Sequence, residues 1–270
     1  MTERYAVIGN PVDHSRSPEI QSAFARATRQ DIEYGRLLAP RDGFAETVRR
    51  FRSEGGRGAN VTVPFKEQAF RLADSLSVRA QAAQAVNTLR FDASGIFGDN
   101  TDGAGLVADL KCNLGISLAG RRILLLGAGG AARGVLHPLL AEHPAALMLV
   151  NRTPEKARAL AAAVSPLLRA GAFDDLRGER FDVVVNATAA SLAGEAPRLP
   201  ADIFVSGALA YDMMYAANDT PFMAWARAHG AAQIVDGLGM LVEQAAESFF
   251  LWRGVRPETA PVLAMLRNAR

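Results

Sequence analysis

The run Ile123-Leu124-Leu125-Leu126-Gly127-Ala128-Gly129-Gly130-Ala131-Ala132 decides the fold of this 270-residue chain. Four consecutive apolar residues ahead of a glycine turn read as a parallel strand buried on both faces. Gly127, Gly129 and Ala132 then occupy the three small-residue positions of a strand–turn–helix dinucleotide fingerprint. The first allows a tight turn, the second lets backbone approach a pyrophosphate, and the third lets the helix pack closely on the strand. The helix that starts there offers N–H groups and a partial positive charge to phosphates. Gly127, Ala128, Gly129, Gly130 and Ala131 are therefore expected to bind a dinucleotide.

Reading outward, short apolar runs recur near 147–150, 182–185, 203–209 and 232–235, with helical stretches between most of them. This is the α/β pattern, and it marks residues 103–237 as a Rossmann-type nucleotide domain. Upstream, Tyr5–Ile8, 33–39 and 59–63 read as strands, 18–29 and 41–54 as helices, and 87–100 as a hairpin. Ser17-Pro18 looks like an N-cap followed by proline at the first helical position. Downstream, 240–252 and the stretch after Pro257 read as helices without a strand of their own. We expect them to pack on the N-terminal block. The expected architecture is thus α/β with two domains: 1–102 plus 238–270, built on a mostly parallel sheet, and 103–237.

Composition narrows the class. Hydrophobic residues make up 49% and charged residues 21%, a globular balance, and net charge is +2 without a basic run. Nucleic acid is not an expected partner; a small acidic molecule is. Cys112 is the single cysteine, which excludes an intramolecular disulfide and fits a reducing compartment. No run nears the roughly 20 apolar residues of a membrane span, and no signal peptide is expected ahead of the first strand. The expected setting is the cytoplasm, without membrane attachment or a metal, as a monomer or homodimer.

Two further stretches carry chemistry. The end of the second nucleotide-domain strand is where an NAD-binding chain usually places an Asp or Glu, about twenty residues past the glycines. Here Asn151-Arg152-Thr153 follows, with Lys156 a turn later. A guanidinium, a hydroxyl and an ammonium suit a 2′-phosphate, so NADP is expected over NAD. In Asn60-Val61-Thr62-Val63-Pro64-Phe65-Lys66, period-two alternation puts Asn60 and Thr62 on one strand face. Lys66 follows at the strand's C-terminal tip, where open α/β sheets bind ligands. Only three of the thirty Lys and Arg residues are lysines. An ammonium can exchange a proton where a guanidinium effectively cannot, although a lysine at a helix start is also ordinary surface. Ser15 and Ser17, two apart before a helix, can hold a carboxylate with their hydroxyls; Ser17 can equally serve as a helix cap.

Several motifs in order along the whole chain resemble the shikimate dehydrogenases. They are Gly9–Pro18, Asn60–Lys66, Ala85–Thr88, Gly98–Gly103, Gly127–Ala131, Asn151–Thr153, Asn186–Thr188, Tyr211–Met213 and Gly237–Leu241. The resemblance implies reversible NADPH-dependent reduction of 3-dehydroshikimate to shikimate, on the chorismate route of aromatic amino-acid biosynthesis. It implies Lys66 and Asp102 as the catalytic pair. It gives Ser15 and Ser17 the substrate carboxylate, and Asn60, Thr62, Asn87, Tyr215 and Gln244 the ring and its hydroxyls. On the cofactor side it adds Thr188, Met213 and Gly237. One departure is Ala189-Ala190-Ser191-Leu192, where the family commonly continues with Ser and a glycine. Asp102 also suits a helix N-cap ahead of Gly103. Two other readings are a quinate/shikimate dehydrogenase with relaxed cofactor use, and a dinucleotide sensor without turnover. Asn151-Arg152-Thr153 argues against the first and the Lys66–Asp102 pair against the second.

Overall fold

The structure is a computed structural model and describes residues 2–165, 168–188, 190 and 194–269. The chain forms two compact units, Met1–Gly105 with Leu241–Arg270, and Leu106–Met240. It leaves the first unit within helix α5 (Asp102–Ala108) and re-enters it within α9 (Leu238–Arg253).

The first unit holds a six-stranded mixed sheet. Its strands are β1 (Glu3–Gly9), β2 (Ile32–Leu38), β3 (Gly56–Val61), β4 (Ser75–Leu76), β5 (Thr88–Asp92) and β6 (Gly95–Asp99), in the order β2-β1-β3-β5-β6-β4. β1 runs parallel to β2 and β3, while β5 runs antiparallel to both β3 and β6. Alternation along β1 divides the core between the two faces. Ala6 and Ile8 pack with Phe44, Val48, Phe51 and Phe65. Tyr5 and Val7 pack with Val12 and Tyr34, against Trp252 of α9. Tyr5 and Trp252 stack with centroids 4.7 Å apart. Helices α1 (Ser17–Thr28), α2 (Phe44–Ser53), α3 (Lys66–Leu72) and α4 (Val78–Ala83) complete the N-terminal part. The C-terminal helices pack on it as expected: Gln21 of α1 donates to the Ala245 carbonyl of α9 at 3.1 Å, and Phe24 meets Phe249 edge-on. The last helix, α10, spans Ala260–Asn268.

The second unit holds six parallel strands: β7 (Arg122–Leu126), β8 (Ala146–Val150), β9 (Arg169–Gly171), β10 (Phe181–Asn186), β11 (Phe204–Asp212) and β12 (Gln233–Val235). Their order, β12-β11-β10-β7-β8-β9, is that of a doubly wound dinucleotide fold, reversing direction between β7 and β10. Helices α6 (Gly130–Ala141), α7 (Pro154–Val164) and α8 (Pro221–Ala228) connect them. The β7 residues Ile123 to Leu126 are fully buried, two facing each layer of core. No helix among the described residues is long and apolar enough to cross a membrane.

Some local expectations shift. β3 ends at Val61, so Thr62 and Val63 lie beyond the strand, and Val63 is 59% exposed. Pro64 explains this. The Phe65 N–H turns back to the Thr62 carbonyl at 3.0 Å, a turn that ends the ladder. Ser17 is not a cap: Arg16 precedes the helix, Ser17 is its first residue, and no side chain caps it.

Candidate active site

In the first unit the sheet's C-terminal edge gathers polar side chains from distant parts of the chain. Phe65, buried and stacked on Phe44 at 4.9 Å, anchors the start of α3 and so places Lys66 at its first turn. The Lys66 ammonium donates to Asp102 Oδ2 at 2.5 Å. Asp102 is 5% exposed and opens α5, yet its carboxylate turns to Lys66 and Asn87 instead of capping the helix. Its other oxygen accepts from Asn87 Nδ2 at 2.8 Å. Asn87 also donates toward Gln244 Oε1 at 3.1 Å, while its own Oδ1 accepts from the Thr101 N–H at 2.8 Å and from the Thr88 hydroxyl at 2.9 Å. Fixed donors therefore hold both oxygens of Asp102, the arrangement that orients a carboxylate.

Asn60 sits in the same buried layer. Its Oδ1 accepts from the Tyr34 hydroxyl at 2.7 Å and its Nδ2 donates to Ser248 at 2.9 Å. Thr62, half-buried, is pinned by a bond from its N–H to the Ile8 carbonyl at 2.9 Å. On the loop after β1, the Ser15 hydroxyl reaches Ser17 Oγ at 3.2 Å. Arg36 holds that loop from β2 by donating to the Ser15 carbonyl at 2.6 Å. The structure thus brings Asn60, Lys66, Asn87, Asp102 and Gln244 into one bonded network, with Ser15 and Ser17 paired on their own loop. Tyr215 lies in the second unit, on the loop after β11.

The second unit forms a glycine turn between β7 and α6. Gly127 has φ +104°, the left-handed region that favours glycine, and a Cβ there would approach the Ala187 carbonyl to 3.1 Å. Gly129 is exposed, with open space where a side chain would stand, and Ala132 is fully buried. At the tip of β8, Asn151 Nδ2 donates to the Thr153 carbonyl at 2.9 Å, shaping the loop that presents Arg152. Arg152, Thr153 and Lys156 are exposed, and neither cation forms an ion pair among the described residues. Thr188 donates to Asn186 Oδ1 at 2.7 Å. Gly237 presses against the Met213 backbone: a Cβ there would collide with the Met213 carbonyl oxygen. The Ala189-Ala190-Ser191-Leu192 departure falls, Ala190 apart, outside the described residues.

Comparison with known proteins agrees with this geometry. Models of three family regions match in chain order: the shikimate dehydrogenase substrate binding domain over residues 7–89, shikimate/quinate 5-dehydrogenase over 108–193, and the shikimate 5′-dehydrogenase C-terminal domain over 237–267. The NADP(+) shikimate dehydrogenase of Aromatoleum aromaticum is 64% identical, over 98% of this chain and 97% of its own. The chain belongs to the shikimate dehydrogenase family. The corresponding enzyme of Nitrosospira multiformis is 59% identical over 100% of this chain and 98% of its own. The Thermus thermophilus shikimate 5-dehydrogenase, solved with NADP(H) and shikimate, superposes with a TM-score of 0.89 at 34% identity, covering 100% of both chains. An Ael1 enzyme from Pseudomonas putida superposes at 0.92 with 49% identity, over 98% of each. Family membership fixes the α/β fold and an NADP-dependent oxidoreductase class.

Sequence reasoning missed the supporting residues of this member of the family. Thr88, Thr101 and Ser248 are fully buried and bond to Asn60, Asn87 or Gln244. In the second unit Asp212, also fully buried, accepts from Asn186, from the Thr220 hydroxyl at 2.6 Å and from the Met214 N–H at 3.0 Å. That holds the loop carrying Met213. Asn186, Asp212 and Thr88 stood inside recognisable motifs, but only the fold shows which atoms they hold.

Proposed function

We propose that this chain catalyses the reversible, NADPH-dependent reduction of 3-dehydroshikimate to shikimate, with Lys66 as proton donor and acceptor and Asp102 as its partner. The observation that carries the proposal is the 2.5 Å bond from Lys66 to a carboxylate that is itself held by Asn87. Ketone reduction needs a hydride, which NADPH supplies when bound, and a proton for the developing alkoxide. The Lys66 ammonium stabilises that oxygen by charge and transfers the proton. Asp102 keeps the ammonium aimed, since a carboxylate with two fixed donors cannot swing away.

The unit containing Lys66 takes the substrate; it includes the region matched by the substrate-binding family model. Ser15 and Ser17 hold the substrate carboxylate. Thr62, Asn60, Asn87 and Gln244 meet a polyhydroxylated ring with both donors and acceptors. In the other unit Gly127, Gly129 and the start of α6 hold the pyrophosphate. Asn151, Arg152, Thr153 and Lys156 take the 2′-phosphate, and Thr188, Met213 and Gly237 form the remaining cofactor contacts. The exposed cations, unpaired among the described residues, suit an added phosphate, and no carboxylate stands at the tip of β8 itself to repel it. The test is absorbance of reduced nicotinamide with shikimate or quinate and NADP or NAD. Turnover should be highest by far with shikimate and NADP. Comparable kcat/KM with NAD, or with quinate, would instead favour an enzyme of relaxed specificity.

A further inference from the structure

Behind Asn87 lies a chain of buried groups that never faces solvent. The Tyr34 hydroxyl donates to Asn60 Oδ1 at 2.7 Å. That bond fixes the amide, so Asn60 Nδ2 faces Ser248 Oγ at 2.9 Å and Thr88 Oγ1 at 3.1 Å. Ser248 and Thr88 stand 2.8 Å apart. Thr88 Oγ1 reaches Asn87 Oδ1 at 2.9 Å, and Asn87 Nδ2 reaches Asp102 at 2.8 Å.

One direction of donation carries the chain from Tyr34 to Asp102. An amide oxygen only accepts, so Thr88 must donate to Asn87 Oδ1. Its oxygen then accepts from Asn60 Nδ2, while the Ser248 hydroxyl, 2.8 Å away, also reaches the Gln244 carbonyl at 3.0 Å. With Asn87 Oδ1 engaged by Thr88 and by the Thr101 N–H, its Nδ2 faces Asp102, with Thr101 Oγ1 and Gln244 Oε1 as its other acceptors. The polarity runs one way, from Tyr34 through Asn60, Thr88 and Asn87 to the carboxylate. Thr88 and Ser248 are fully buried, and Tyr34 is 8% exposed.

We propose that Thr88 is a positioning residue for the reaction, its single hydroxyl hydrogen locking the Asn87 amide so that Asp102 holds the Lys66 ammonium in line, with Tyr34 setting the direction of the chain from its far end. This rests on the reading of Lys66 and Asp102 given above. Thr88 acts through Asn87 and touches no reacting atom. Its loss should therefore lower kcat and leave substrate binding nearly intact.

The experiment is steady-state kinetics on Thr88→Val, Thr88→Ser, Tyr34→Phe and Lys66→Met, each alongside a thermal melt. Thr88→Val should lower kcat about tenfold, the equivalent of one buried hydrogen bond at the upper end of its usual range, with KM for shikimate within about twofold. Thr88→Ser, which restores the hydroxyl, should recover kcat to within about threefold of wild type. Tyr34→Phe leaves Thr88 in place and should lower kcat in the same direction by less. It carries the test alone should Thr88→Val not fold. Wild-type kcat in Thr88→Val, or in Tyr34→Phe where that variant stands alone, overturns the proposal. So does a loss in Thr88→Val that Thr88→Ser fails to rescue, or one that appears in KM. Undiminished turnover in Lys66→Met is a separate outcome. It removes the catalytic reading itself, and this proposal with it.

Discussion

Replacing Asp102 with asparagine probes the catalytic pair with almost no change of shape. In the wild type both carboxylate oxygens accept, one from Lys66 at 2.5 Å and one from Asn87 at 2.8 Å. An amide has one acceptor and one donor end. Either orientation of the new amide in Asp102→Asn therefore turns one of the two contacts into a donor facing a donor. If the amide oxygen stays with Lys66, Asn87 Nδ2 loses an acceptor at a position where Asp102 is only 5% exposed. If it stays with Asn87, the ammonium meets an N–H. Leaving a buried donor unsatisfied costs about 1–3 kcal/mol. The ammonium also loses its counter-charge. Its side chain is 19% exposed, so solvent screens only part of that loss. Taken together, misplacing the ammonium should raise the barrier by about 2.7–4 kcal/mol, the range seen when one preorganised electrostatic contact is removed. This corresponds to a fall in kcat of roughly 10²- to 10³-fold. The assay is NADP reduction with saturating shikimate, with KM measured in parallel. A kcat within about threefold of wild type would refute the claim that Asp102 orients Lys66.

Other perturbations separate the remaining roles. Ser17→Ala should raise KM for shikimate about tenfold or more and spare kcat, as loss of a hydrogen bond to a charged group predicts. A change confined to thermal stability would return Ser17 to a structural role. Arg152→Ala should weaken NADP by about 1.5–3 kcal/mol and leave NAD use unchanged, and titration with both cofactors checks this. Asp99 is buried, which alone would raise its pKa. The Arg79 guanidinium, bound at 2.6 and 2.7 Å, together with the Ser77 hydroxyl and the Asn100 N–H, outweighs burial and holds the carboxyl below its ordinary value. A carboxyl depressed in the folded state contributes stability above the unfolded pKa of about 3.9 and loses it as pH falls toward the lower folded value. Acid melts of wild type and Arg79→Gln should converge below about pH 4 and differ above it; a constant difference at every pH would exclude the linkage.

The nucleotide unit was legible because its signals are local. The buried strand, its glycine turn and the helix behind it lie within residues 122–141, so periodicity and turn chemistry read them directly. Short edge strands gave no such signal. β4 has two residues and β9 three, too few for alternation to register. Ser17 was placed one residue off because Arg16, without a capping side chain, precedes the helix. In the first unit Lys66 and Asp102 were legible by type, as a rare lysine and a carboxylate in family motifs. Their supports were not. Ser248 contacts Thr88 across 160 positions of sequence, and Gln244 meets Asn87 across 157. Such pairings arise only when α9 packs beside β5, and a serine or threonine in isolation carries no mark of the partner it will bind.

The central claim is that Lys66 carries the proton. Lys66→Met keeps an unbranched side chain out to the ε position and removes the ammonium. The decisive measurement is the kinetics of this variant with shikimate and NADP. Proton transfer by Lys66 predicts kcat lowered roughly 10²- to 10⁴-fold, the range for loss of a general acid, with KM for shikimate changed far less. Near-normal kcat with a large rise in KM would make Lys66 a binding residue and contradict the mechanism.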